Sequence, residues 1–146
     1  MSATETLREA RADDVAGMHR VRLLVRENPL RSAIVAEADY LPYLHDHGRG
    51  WVIEVDGGVR AFAIGDRRDG NIWALFVEPG YEGRGYGRRL HEVMVAWLAA
   101  HGCPRLRLTT AAGTRAERFY ERAGWRRAGI APSGEVRFER DSGGAA

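Results

Sequence analysis

The sequence predicts an α/β fold in which helices cover both faces of a mixed central sheet. Three observations carry this expectation. Apolar runs of strand length crowd the middle of the chain, helix-period stripes flank them, and a glycine turn joins one strand to the clearest helix. The predicted order is β-α-α-β-β-β-α-β-α-β-β.

Thr6 to Ala10 reads as a first strand. Asp13 and Asp14 then offer a cap and favourable charge for a helix on which Val15, Met18, Val21/Arg22 and Val25 recur at helical spacing, up to Glu27 before the stop at Pro29. A weaker helix is predicted around Glu37 to Asp46, ending at Gly48. Trp51 to Val55, the turn Asp56-Gly57-Gly58 and Val59 to Ile64 read as a hairpin. Asp69-Gly70 turns the chain into a strand from Ile72 to Val77, which Pro79-Gly80 ends. From Gly85 to His101, residues Leu90, Val93/Met94, Trp97/Leu98 and His101 share one stripe, and Gly102 closes that helix. Leu106 to Thr110 reads as a strand, Thr114 to Arg122 as a helix ending at Gly124, and Trp125 to Gly129 and Glu135 to Arg140 as two last strands. Residues 1–140 are thus expected to form one domain and 141–146 a loose, flexible polar tail.

A chain of 146 residues, 45% hydrophobic and 29% charged, has the size and composition of one soluble domain. All 22 basic residues are Arg, which excludes a lysine nucleophile, a Schiff base and a Walker lysine. The net charge is +2, with Arg spread from Arg8 to Arg140 among acids, so neither nucleic acid nor membrane is expected as a partner. Cys103 cannot form an internal disulfide, and Met1 to Arg11 lacks the apolar stretch of a signal peptide. The longest apolar run, Val93 to Ala100, is far below the roughly 20 residues of a membrane span. A cytoplasmic location is the expectation. His45 and His47 lack a third ligand at recognisable spacing, so no metal site is predicted. His91 and His101 read as helix-surface or helix-end residues, and Cys103 as small and structural.

The most informative stretch is Gly83-Arg84-Gly85-Tyr86-Gly87 between a strand and a long helix. Glycines let the backbone approach a ligand with its N–H groups turned outward, and a helix N-terminus adds partial positive charge. Arg84, Arg88 and Arg89 would oppose the helix dipole there unless an anion is bound. A Walker loop needs the missing lysine. A dinucleotide site needs Gly-x-Gly-x-x-Gly and a later acid, neither of which is present. A turn that merely packs helix on strand is the plain alternative.

These residues resemble the GNAT acetyltransferase superfamily. Leu75-Phe76-Val77-Glu78-Pro79 followed by Glu82-Gly83-Arg84-Gly85-Tyr86-Gly87-Arg88 is similar to its acetyl-CoA signature, and Ala116-Glu117-Arg118-Phe119-Tyr120 through Gly124-Trp125 to its second segment. The resemblance implies acetyl-CoA as cosubstrate. The amides of Gly83, Arg84, Gly85, Tyr86, Gly87 and Arg88 would hold the pyrophosphate. The main chain of Leu75, Phe76 and Val77 would pair with the pantetheine arm, and a backbone N–H near Phe76 or Val77 would polarise the acetyl carbonyl. Phe119 would line the coenzyme site, and Tyr120 would protonate the departing thiolate. Glu82 replaces the usual Arg or Gln, where it could cap the loop or pair with Arg84 or Arg88. Gly113 replaces the usual Asn.

Two positions where family members keep a general base are Asn71 and Leu108, which cannot take a proton from an ammonium. On the acceptor side the resemblance places Asn28, Asn71 and Trp73, with Glu27 or Glu135 as acids to bind or deprotonate a cationic amine. The bland alternative pairs those acids with Arg22, Arg26 or Arg137 at the surface. The expected function is transfer of acetyl to a primary amine of a small molecule or peptide in a ternary complex. A coenzyme A-binding sensor without activity, a nucleotide-binding protein and a homodimeric state all remain open at this point.

Overall fold

The computed structural model describes residues 4–25 and 35–143. Seven strands form one sheet: β1 (Glu5–Glu9), β2 (Gly48–Val55), β3 (Gly58–Asp66), β4 (Asn71–Val77), β5 (Arg105–Thr110), β6 (Arg126–Ile130) and β7 (Val136–Asp141). Their spatial order is β1-β2-β3-β4-β5-β7-β6, and every neighbouring pair is antiparallel except β4 with β5. The helices are α1 (Val15–Leu24), α2 (Tyr40–His45), α3 (Tyr86–Ala100) and α4 (Arg115–Arg122). Among the described residues, no helix is long and apolar enough to cross a membrane.

Strand alternation sorts the core into two layers. Trp51, Ile53, Ala61 and Ala63 point to one face, where they meet Leu90, Met94 and Leu98 of α3 together with Leu106, Leu108, Tyr120 and Phe138. Val52, Phe62 and Ile64 point to the other, against Met18 and Val21 of α1 and Tyr40 and Leu44 of α2. Both faces of the central strands are therefore dry, as their nearly unbroken apolar runs require.

The local details differ from the sequence expectation at four places. A 3-10 turn, Ala12–Asp14, precedes α1, and the Asp14 carboxylate accepts from the Arg11 N–H and from Arg8 instead of capping the helix. Arg8 also meets Glu54 at 2.6 Å, which ties β1 to β2 and to the start of α1, and its guanidinium holds the Asp14 carboxyl below the usual carboxylate range. Likewise, the 3-10 turn Glu37–Asp39 precedes the six-residue α2. Residues 141 and 142, expected in a loose tail, belong to the packed structure: β7 runs to Asp141, and buried Ser142 donates its N–H to the Pro104 carbonyl.

The fourth difference decides the architecture. In the β3–β4 ladder Ile64 pairs with Ala74 and Gly65 with Ile72, so Trp73 is an extra residue on β4. This bulge bends and twists the strand and shifts its side-chain phase. Trp73 and Ala74 both pack on the α1 side, after which Leu75 and Val77 return to the α3 side and Phe76 to the α1 side. The other edge of β4 pairs with β5 at one position, Asn71 with Arg107. Beyond it the two parallel strands diverge, and a wedge opens in the middle of the sheet.

At the apex of that wedge the Arg107 N–H donates to the Gly70 carbonyl at 2.9 Å. Gly70 has φ +76°, and a Cβ there would stand 2.2 Å from the Arg105 carbonyl oxygen. Gly70→Ala must therefore move backbone, and we expect it to lose about 2–3 kcal/mol of stability in urea unfolding. A variant as stable as the parent would show that the apex yields freely.

Candidate active site

Two cavities lie on either side of the wedge. The larger, about 660 Å³, is lined by Leu75, Phe76 and Val77 of β4, by the turn Gly83-Gly85-Tyr86-Gly87-Arg88 and by Arg115, Phe119, Tyr120 and Arg122 of α4. The smaller, about 90 Å³, is lined by Arg22, Asn71, Trp73, Phe76, Thr110, Tyr120 and Glu135 among others. Leu75, Phe76 and Tyr120 border both. The wedge thus has a large cavity on one side and a small chamber on the other, with these residues between them.

The mouth is built by backbone. Gly83 and Gly85 have φ +77° and +84°, a left-handed conformation that lets the chain turn into α3 with Gly85 as its N-cap. No side chain caps the first turn of α3 and no acid lies in it. Its leading N–H groups have no partner within a helix, so they present an anion site. At Gly87 a Cβ would lie 3.5 Å from Phe119, so α3 and α4 approach closely beneath the turn. The Tyr86 side chain is buried in the core, and this residue offers the cavity its main chain.

Cations gather around the same opening. Arg84 stacks on the Tyr81 ring at 4.9 Å, and Arg88, Arg115 and Arg122 line the cavity. Glu82 does not pair with Arg84 or Arg88. It folds back to accept the Gly80 N–H at 2.6 Å, and its nearest cation is Arg115 at 3.8 Å. Hydrogen bonds from its own and the Gly80 N–H hold its carboxyl below the usual range. Gly113 has φ +76° and donates its N–H to the buried Glu117 carboxylate, which also meets Arg127. Arg115 and Arg122 went unrecognised in the sequence; their spacing of seven, two turns of one helix face, was the available signal.

Tyr120 sits at the junction, in an aromatic nest of Phe119, Trp125 and Phe138 at ring separations of 5.3, 5.6 and 6.3 Å. Burial alone pushes its hydroxyl above the usual tyrosine range, so it stays a neutral proton donor. Below it, His91 is not at the helix surface, as its sequence position suggested. It is buried, accepts from Trp125 Nε1 at 2.9 Å and lies 3.3 Å from Arg140. His101 does lie exposed at the helix end, stacked on Trp97.

In the small chamber Trp73 stacks on Tyr43 at 4.2 Å and meets Tyr40 edge-on at 5.1 Å. Glu135 is buried immediately before β7, not exposed, and accepts from Ser133 Oγ at 3.1 Å. Arg22, read from the sequence as a surface partner, is also buried. Its guanidinium lies 4.8 Å over Trp73 and 5.1 Å over Phe76. Stacking of this kind contributes about 2 kcal/mol, against a desolvation cost of several. Glu27 and Asn28 lie outside the described residues, so the expected acceptor-side set is assembled here from Asn71, Trp73 and Glu135.

The acetyltransferase (GNAT) family model matches residues 9–125, and the chain belongs to that family. No curated protein matches it. Among solved structures it is similar to the ribosomal-protein-S18-alanine N-acetyltransferase of Escherichia coli, at 19% identity and TM-score 0.78, over 98% of this chain and 97% of that one. An N-acetyltransferase of Staphylococcus aureus Mu50 gives 16% and 0.80 over 95% and 99%. PaiA N-acetyltransferase of Thermoplasma acidophilum, in complex with coenzyme A, gives 11% and 0.74 over 94% and 99%. At these identities the likeness is one of fold.

The buried imidazole carries a pH signature. Desolvation, then the charge of Arg140, lowers the His91 pKa from 6.5 to about 4. The unfolded chain therefore binds the extra proton first as pH falls. Stability present above about pH 6.5 should decline toward pH 4, by on the order of 3 kcal/mol at most. Urea unfolding across that window should show the decline, and His91→Gln should flatten it; an equal slope in both would remove His91 as the cause.

Proposed function

We propose that this chain is an acetyl-CoA-dependent N-acetyltransferase that acts on a primary amine of a small molecule or peptide by direct attack in a ternary complex. The observation that carries the reading is Tyr120 on the wall of both a large cavity, which lies under free helix N–H groups, and a small chamber. The residues fit coenzyme A in two respects. The β4 edge beyond Asn71 has main-chain groups that β5 leaves unpaired, suited to an amide-bearing arm, and the turn at 83–88 suits a diphosphate.

Acetyl-CoA supplies an acetyl group activated as a thioester. The chain's own part is positioning and charge. Amides of Gly83 through Arg88, helped by Arg115 and Arg122, hold the anion. The Val77 N–H, on the edge of β4 turned away from β3, stabilises negative charge developing on the acyl oxygen. Tyr120, kept protonated by its apolar nest, donates to the leaving sulfur. Trp73 and Asn71 wall the acceptor chamber, and Glu135 receives or orients the amine there.

Calorimetry with coenzyme A and a thiol-release assay with an amine panel test the reading. Tyr120→Phe should bind coenzyme A as the parent does and lose roughly 10²–10⁴-fold in kcat. Binding of coenzyme A without thiol release to any amine would favour a sensor. Binding of ATP or NAD in its place would end the transferase reading.

A further inference from the structure

The Arg22 guanidinium is 3% exposed, yet its Nε and Nη1 have no hydrogen-bond partner. Among the described residues no carboxylate pairs with it, although Arg8, Arg20, Arg60, Arg68 and Arg127 each meet one. The aromatic rings of Trp73 and Phe76 occupy the face of the guanidinium. Stacking satisfies the charge in part and leaves Nε and Nη1 unused. Arg22 lines the same small chamber as Asn71, Glu135 and Tyr120. The neighbouring Tyr40 hydroxyl meets His19 Nδ1 at 3.1 Å and also interacts with Arg22. A buried guanidinium on the wall of a cavity, without a carboxylate partner among the described residues, suits an acid group of a ligand.

We infer that Arg22 binds a carboxylate of the acceptor, so that the amine acetylated here is an amino acid carrying its free acid group close to the amine. The inference rests on the acetyl-transfer reading for its chemistry and on Arg22 alone for its specificity. Arg22 and Glu135 bring opposite charges to one chamber, which suits a zwitterion. The volume, about 90 Å³, holds roughly half a dozen water-sized groups and so favours a small amino acid over a peptide. Cationic polyamines, by contrast, would bring a second positive charge toward a guanidinium that has no carboxylate partner among the described residues.

Pairs of acceptors that differ in the acid group alone provide the test: glycine against glycinamide, and β-alanine against β-alaninamide. The amides hold more of their amine unprotonated, so any preference for the acids runs against intrinsic reactivity. The acids should show kcat/KM at least about 10-fold higher, carried by KM. Arg22→Met should bring the ratio of acid to amide close to one, and Arg22→Lys should restore part of it. A binding arm needs no turnover: N-acetylglycine should give heat with the coenzyme A-loaded parent and N-acetylglycinamide should not. Transfer to acids and amides alike would overturn the inference while leaving acetyl transfer intact. Binding of N-acetylglycine that Arg22→Met abolishes, without transfer to any amine, would support the carboxylate site and remove the transferase reading. Absence of both binding and preference in the unmutated protein overturns the inference whether or not the variants fold.

Discussion

One rung of backbone pairing governs this molecule. Asn71 and Arg107 are the positions at which β4 and β5 touch, and everything beyond them depends on the strands not meeting again. A parallel pair that stayed in register would satisfy its N–H and C=O groups and seal the sheet. The extra residue at Trp73 prevents this by twisting β4 away just past the rung. The unsatisfied edge is then a standing demand for a partner, because buried main-chain polar groups are expensive to leave alone. The fold thus creates its binding site by withholding a ladder from itself.

The surrounding charges follow the same logic of incompleteness. Elsewhere in the chain acids and guanidinium groups are matched, as where Arg8 grips both Asp14 and Glu54, or Arg68 closes on Asp66 at 2.8 Å. Around the mouth of the wedge Arg84, Arg88, Arg115 and Arg122 outnumber the single Glu82, which is turned back on its own loop. In the chamber behind, Arg22 stands against aromatic faces. Guanidinium groups outnumber carboxylates at the mouth, while the chamber carries one of each, Arg22 and Glu135.

Much of this was legible in the sequence, and the reasons are physical. The element order could be read because glycines and prolines punctuate it and because α3 carries a clear stripe. The glycine turn could be read because only a backbone that comes close to something needs Gly83, Gly85 and Gly87 at a helix start. The bulge could not. Ile72-Trp73-Ala74-Leu75-Phe76-Val77 is apolar throughout, so a change of side-chain phase leaves no trace in its pattern. Nor could burial of Arg22, Glu135 and His91 be seen, since each sits where a polar residue usually marks a solvated edge. Their environment is set by residues from other elements: Trp73 and Phe76 over Arg22, Ser133 beside Glu135, Trp125 against His91.

The bond from Trp125 to His91 makes the molecule its own indicator. An indole whose N–H is held by a neutral imidazole in a dry pocket emits differently from one facing an imidazolium, which quenches by accepting an electron. His91 lines the large cavity and touches Phe119 edge-on at 5.8 Å, so whatever fills that cavity alters the dielectric around the pair. The Trp125 share of the fluorescence, set beside that of Trp51, Trp73 and Trp97, therefore responds both to the occupancy of the cleft and to the proton on its floor.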